Sequence, residues 1–469
     1  MRQLTSLDAQ FLALESGSQT GHVGGLAIVD PSTVPGGRFD CGGLKELLRD
    51  RLPLLPPFRW RLAEVPFGLD YPYWVDDLDF DLDYHVREIA LPRPGSDAQL
   101  AAQVARIHSR PLDRSRPLWE LYLIEGLESG HSAVLTKIHH AVIDGMSGAE
   151  IMGVLLDLSP EGRQLPPAPG GNGSDGAPST LEMLGRGLLG VPRYPLRALR
   201  AVPRAIPNIV DTPFAALPGA GTIGRLTGAG ERHTAPKTTF NGRISPHRRF
   251  AFGQLGLDDV KRVKNHYGCT VNDVVMAICA SAVRRWLTEH GELPDEPLVT
   301  QVPVSVRSDD QMGTYGNRIL LMGAPLHTNE PDPVQRLFLI HDAMKGVKER
   351  HKAIPAELLQ DANHFIPPAV FSRAAQLTFR LSTSRPGRPN WNLVISNVPG
   401  PQFPLYLGGA ELQANYPVSV ITDGMGLNIT VMSYRGHLDF GILADRDQMP
   451  DVWKLIGWLE EGLRELEPA

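Results

Sequence analysis

Hydrophobic and polar positions along this chain switch repeatedly between two spacings. Residues 25–29 and 118–124 are short apolar runs that read as strands, and 101–108 carries the spacing of a one-sided helix. The clearest helix covers 270–290: Thr270 and Asp273 form the pattern of a capping box, and Gly291 supplies a stop. Segments 298–306, 391–395 and 427–432 are rich in β-branched residues and read as further strands. Both spacings occur in both halves of the chain, which predicts an α/β (α+β) architecture with no short-period repeat.

Length divides this pattern. At 469 residues the chain exceeds one ordinary core, so two domains of roughly 150–230 residues are expected. Residues 160–178 (PEGRQLPPAPGGNGSDGAP) are mostly proline, glycine and small polar groups, too poor in apolar surface to order themselves. The expected division is therefore 1–159, a connector over 160–240, and 241–469. Within the connector, 181–218 has a different character. Arg186, Arg193, Arg197, Arg200 and Arg204 lie among leucines and valines with no acidic residue between Met183 and Val210. Such a stretch suits either peripheral contact with a membrane or lipid droplet, or a strap across the protein surface.

Composition narrows the function classes. Hydrophobic residues at 42% and charged residues at 21% are ordinary for a globular protein. A formal net charge of −6 argues against nucleic acid as a partner, because phosphate contacts need a basic face. Three cysteines, Cys41, Cys269 and Cys279, lack the paired spacing of a zinc site or a disulfide framework. Asp8 interrupts the start before any secretory apolar core, and no run approaches the ~20 apolar residues of a membrane span. A cytoplasmic location, peripheral at the inner face of the membrane if it meets one, is the expectation.

The segment that carries chemistry is SAVLTKIHHAVIDGMSGAEIMGVLLDL, from Ser132 to Leu158. Residues 133–139 read as a strand, and Ser147 with Glu150 as a capping box opening a helix through Ile151 and Leu155. HHAVIDG thus falls at a strand–turn–helix junction. Successive strand side chains point to opposite faces, so only one of His139 and His140 can face a given cleft. Asp144 and Gly145 occupy the turn, where the aspartate could orient an imidazole or anchor the loop. Three other readings stay open: a metal site from His139, His140 and Asp144 without a further ligand pair, a serine elbow at 145–149 that lacks its last glycine, and a purely structural histidine pair.

HHAVIDG resembles the motif of the coenzyme-A-dependent acyltransferase superfamily, which includes chloramphenicol acetyltransferase and peptide-synthetase condensation domains. Further segments resemble the bacterial wax ester synthase/acyl-CoA:diacylglycerol acyltransferases: LTSLDAQFLALE, HVGGLAIVD from His22, YPYWVDDLDFDLDYHV ending near His85, and RPLWELYLIEGL with Pro117, Leu118 and Trp119. FNGRISPHRRFAF around Arg248, TVNDVVMA at Thr270, VPVSVR ending at Arg307 and SNVPGP from Ser396 continue the likeness over nearly the whole chain.

The resemblance implies two chloramphenicol-acetyltransferase-like domains with a tunnel between them. It implies His140 as general base, with His139, Asp144, Gly145 and Arg307 as structural support and Arg307 as the partner of Asp144. Asn272 matches the family's asparagine and would stabilise an oxyanion; its other reading is a helix-start cap. Trp119 reads as core. Asp439, in a Leu-Asp-Phe-Gly stretch that resembles plant relatives but lacks their tryptophan, reads as structural. The implied activity is transfer of a fatty acyl group from acyl-CoA, a co-substrate, to diacylglycerol or a long-chain alcohol. No metal and no permanently bound cofactor is expected. The rival is a condensation or transesterification enzyme with a carrier-bound acyl donor.

Overall fold

The computed structural model describes residues 1–36, 39–143, 148–164, 182–185, 235–305, 319–352 and 388–468. Its strands are β1 (Arg2–Gln3), β2 (His22–Asp30), β3 (Trp60–Ala63), β4 (Tyr73–Asp76), β5 (Val86–Ala90), β6 (Trp119–Glu125), β7 (Ser132–His139) and β8 (Arg248–Gly256). They continue as β9 (Val299–Ser305), β10 (Ile319–Pro325), β11 (Leu393–Val398), β12 (Tyr406–Leu407), β13 (Ala410–Val418), β14 (Leu427–Tyr434) and β15 (His437–Asp445). The helices are α1 (Ser6–Leu14), α2 (Cys41–Arg51), α3 (Leu82–His85), α4 (Asp97–His108) and α5 (His140–Ile143), then α6 (Gly148–Leu155), α7 (Leu257–Tyr267), α8 (Val271–Glu289), α9 (Pro333–Lys352) and α10 (Lys454–Arg464). None of the described helices is long and apolar enough to cross a membrane.

Two six-stranded mixed sheets dominate. One has the order β12-β13-β2-β7-β6-β5 and the other β10-β9-β11-β14-β15-β8; β1, β4 and β3 form a small third sheet. The strands expected from apolar runs are present, within three residues of the expected bounds. The expected long helix is α8, with Thr270 and Asp273 exchanging both capping bonds and Gly291 at φ +67° just beyond its end. Apolar on nearly all sides, α8 buries Val274 through Val283 beneath α10 and α9.

The division drawn from composition does not coincide with the sheets. β12 and β13 lie within 241–469, yet β13 pairs antiparallel with β2 and so belongs to the sheet of 1–159. Its burial alternates strictly, with Ala410, Leu412, Ala414, Tyr416 and Val418 inward. The chain then returns to the other sheet as β14 and β15. Asp439 in β15 fastens the crossing: its carboxylate accepts the Asn415 N–H at 2.7 Å and Gln254 Nε2 at 2.8 Å. Burial pushes its pKa up to about 6, despite those two bonds. Both of these partners lie on neighbouring strands, Asn415 on β13 and Gln254 on β8.

Between the sheets lies a core that both halves share. Leu100, Ala101 and Val104 of α4 pack there with Leu26, Phe250, Phe252, Tyr416 and Leu443. Helix α4 opens with a capping box between Ser96 and Gln99, but its other end is buried, where free carbonyls need donors. Lys137 supplies them from β7, its Nζ donating to Ile107 O at 3.1 Å and Arg110 O at 2.6 Å. His22 Nε2 donates to His108 O at 2.5 Å. Burial pulls the Lys137 pKa down to about 8, although Glu120, its cross-strand neighbour, works against that shift. Trp119 sits in the core of 1–159, 1% exposed, its Nε1 donating to Phe58 O at 2.7 Å. Residues 186–218 lie outside the described residues, as do Asp144, Gly145, Ser147 and Arg307.

His22 and His108 are completely buried, and burial holds both well below the usual histidine pKa. The unfolded chain binds protons at these sites as pH falls through ~6.5, whereas the folded chain does not, so stability is present above that value and lost below it. Asp439 opposes the loss only below about pH 6, where its raised pKa lets the folded state take up a proton first. Chemical denaturation at pH 7.5, 6.5 and 5.5 should therefore show falling stability, by up to about 1.4 kcal/mol per pH unit for each histidine. Constant stability across that range would contradict the buried neutral pair.

Candidate active site

The site is assembled around the end of β7. That strand runs to His139, antiparallel to β2, with His139 opposite His22. His140 is the first residue of α5, so the strand on which alternation was expected to separate the two rings ends between them. His139 is turned inward and 1% exposed, whereas His140 is half-buried.

Each imidazole has its own surroundings. His139 Nδ1 accepts the Ala141 N–H at 3.1 Å, which assigns the proton of the neutral ring to Nε2. Nε2 lies 3.2 Å from Glu15 Oε1, off the line of a straight hydrogen bond. With one nitrogen accepting a backbone proton and the other against a carboxylate, His139 has no lone pair to offer a metal ion. His140 is held differently. Its ring stacks on Phe11, with centroids 4.0 Å apart and planes 16° from parallel, and its N–H donates to Gly21 O at 2.8 Å. Its Nδ1 is buried with no hydrogen-bond partner among the described residues. Burial lowers the His140 pKa to about 4. The ring is therefore neutral at pH 7 and able to accept a proton.

Helix α1 and the loop after it frame this pair. The helix begins at a reciprocal cap, Thr5 with Asp8, and packs on α5. Glu15 follows its last residue in extended conformation. Alone, burial would raise the Glu15 pKa; His139, the Gly21 N–H and Arg114 together reverse this and bring it to about 2. The loop is also gripped from 241–469: Arg248 Nη2 donates to Ser18 O at 2.5 Å, and the Asp423 N–H to Gln19 Oε1 at 3.2 Å. On the far side, Arg51 anchors α6 by donating to Val154 O and to the Asp157 carboxylate, both at 2.5 Å.

Asn272 is the second residue of α8, in its first turn. Its Oδ1 accepts from Asn397 Nδ2 at 3.4 Å, so its partner comes from the SNVPGP segment. In this arrangement the Asn272 Nδ2 donor has no partner among the described residues. Asp273 takes the capping role, accepting the Thr270 N–H and His341 Nδ1. The supports Asp144, Gly145 and Arg307 fall outside the described residues. Four residues that contact the histidine pair or its frame, Phe11, Glu15, Gly21 and Arg114, were not singled out by sequence; the only signal was their place in or near segments that resemble the family.

Comparison with known proteins first defines the class. The first condensation domain of the calcium-dependent antibiotic synthetase superposes with a TM-score of 0.54 at 16% identity, over 99% of this chain and 96% of that one, a likeness of fold alone. The wax ester synthase/diacylglycerol acyltransferase from Marinobacter aquaeolei VT8 superposes with a TM-score of 0.72 at 32% identity, covering 100% and 99%. The O-acyltransferase WSD of Acinetobacter baylyi is 35% identical over 468 residues, 100% of this chain and 97% of its own length. A wax ester synthase/diacylglycerol acyltransferase catalytic domain matches residues 4–275, and the WS/DGAT C-terminal domain matches 315–467. The chain belongs to the wax ester synthase/diacylglycerol acyltransferase family. The catalytic-domain match takes in both His140 and Asn272.

Gly21 is where the frame is tightest. A Cβ there would lie 2.9 Å from His139 Nε2 and 3.3 Å from Phe11 O. The His139 ring is buried against Glu15 and cannot retreat without breaking that contact. Gly21→Ala should therefore cost about 1–3 kcal/mol of stability as an overpacked site and lower activity at temperatures where the protein remains folded. Wild-type stability and activity together in this variant would show that the frame is looser than described.

Proposed function

We propose that this protein transfers a fatty acyl group from acyl-CoA to the hydroxyl of diacylglycerol, and also to long-chain alcohols, with His140 as general base. The observation that carries this reading is a half-buried, neutral imidazole whose buried Nδ1 has no hydrogen-bond partner among the described residues. Substrates would meet at this ring through a tunnel between the two halves.

The reaction follows from that ring. His140 takes the proton of the acceptor hydroxyl while its oxygen attacks the thioester carbonyl. The tetrahedral oxyanion needs a donor where its charge develops, and Asn272 Nδ2, its amide oriented by Asn397, is the proposed one. Collapse breaks the carbon–sulfur bond, and the imidazolium returns its proton to the departing thiolate, leaving ester and free CoA. Every proton is accounted for without a covalent acyl-enzyme. Asp144 paired with Arg307 is proposed to hold the turn that follows the base. Contact with a membrane or lipid droplet through 181–218 would bring the lipid acceptor to this site.

The test is purified protein with radiolabelled acyl-CoA and a panel of diacylglycerols and long-chain alcohols, its products resolved by thin-layer chromatography. His140→Ala should lower turnover by roughly 100-fold or more. Near-normal turnover in that variant would remove His140 from the chemistry. Transfer only from a carrier-bound donor would favour a condensation-type activity.

A further inference from the structure

The histidine pair is held by a residue far from it in sequence. Glu15 is 13% exposed and uses both carboxylate oxygens. Oε2 accepts from Arg114, at 2.7 Å to Nη2 and 3.3 Å to Nε. Arg114 is itself fixed, with Nη2 also donating to Leu12 O at 2.6 Å. Oε1 accepts the Gly21 N–H at 2.9 Å and lies 3.2 Å from His139 Nε2. The Gly21 carbonyl accepts the His140 N–H at 2.8 Å, and His139 Nδ1 accepts the N–H of Ala141. One carboxylate therefore reaches both flanks of His140: the peptide that holds its backbone, and the ring that holds the next residue.

Only one protonation state of His139 satisfies these contacts. If the ring carried its proton on Nδ1, that N–H would face the N–H of Ala141, and an Nε2 lone pair would face the Glu15 carboxylate. Both contacts would become repulsive. The anionic Glu15 selects the Nε2–H form, and Arg114 keeps the carboxylate in place. Partners that fix a histidine's tautomer from behind are a general means of orienting functional imidazoles.

We propose that Glu15, seated by Arg114, is a positioning residue of this active site: it locks His139 as the Nε2–H tautomer and thereby fixes the backbone from which His140 projects. The proposal rests on the reading of His140 as the base, but half of its test does not depend on turnover.

The experiment combines histidine ¹⁵N NMR with kinetics on wild type, Glu15→Ala and Glu15→Gln, using His139→Gln to assign the His139 ring. At neutral pH the wild-type ring should be protonated at Nε2 alone, and Glu15→Ala should show a mixture of tautomers. In kinetics with acyl-CoA and diacylglycerol, Glu15→Ala should lower kcat by roughly 10-fold or more, with KM for acyl-CoA unchanged. Glu15→Gln, whose amide oxygen can accept from both Gly21 and His139, should recover part of that loss. A wild-type His139 protonated at Nδ1 would overturn the proposal whatever the variants do, as would wild-type kcat in Glu15→Ala. Wild type inactive with every acceptor would instead refute the reading of His140, and the NMR result would still decide the role of Glu15.

Discussion

Everything in this site depends on a half-buried imidazole whose ring is held by stacking. A histidine placed away from water normally has both nitrogens satisfied, because an unpaired buried polar atom costs about 1–3 kcal/mol. His140 instead rests on Phe11, its Nδ1 unpartnered among the described residues. Its position is set through the backbone and the neighbouring ring, and the proposed role as base would use the imidazole itself. The desolvation that makes protonation costly at rest becomes useful once a bound hydroxyl brings its own proton.

The surrounding fold supplies the rigidity this arrangement needs. The two sheets are not independent units: β13 crosses from one half of the sequence into the sheet of the other, and α4 lies in a core common to both. Polar groups within that core are matched to particular needs. Lys137 and His22 supply donors at the buried end of α4, and Asp439 accepts at the crossing of β13. Arg248 and Asp423 reach across to the loop behind the histidines. The frame of the histidine pair is thus held from both halves of the chain.

The legible and illegible parts of this structure divide along physical lines. Helix α8 and strand β7 could be read because apolar spacing and capping residues act over a few positions. The histidine pair was legible because it lies at a junction between two such elements, although the strand ends at His139 and alternation does not reach His140. Trp119 was legible as core from its strand. The position of β13 was not, since its alternation fixes a strand but not a partner nearly 400 residues earlier in the chain. Nor was Glu15 legible: a carboxylate just past a helix end is ordinary until the fold brings His139 and Arg114 to it. Likewise, no local pattern marks Lys137 as the donor for the end of α4. Local physics writes the elements, and long-range pairing writes the site's support.

The most direct measurement of the central claim is the pH dependence of kcat/KM, from initial rates with one acyl-CoA and one acceptor. With its pKa lowered by burial to about 4, His140 is neutral, as the proposed base must be, at every pH well above that value. The profile should stay level from neutrality down to about pH 5 and fall only near 4, as His140 in the free enzyme takes up a proton. An acid limb centred near 6.5, the value of an unperturbed histidine, would contradict the account.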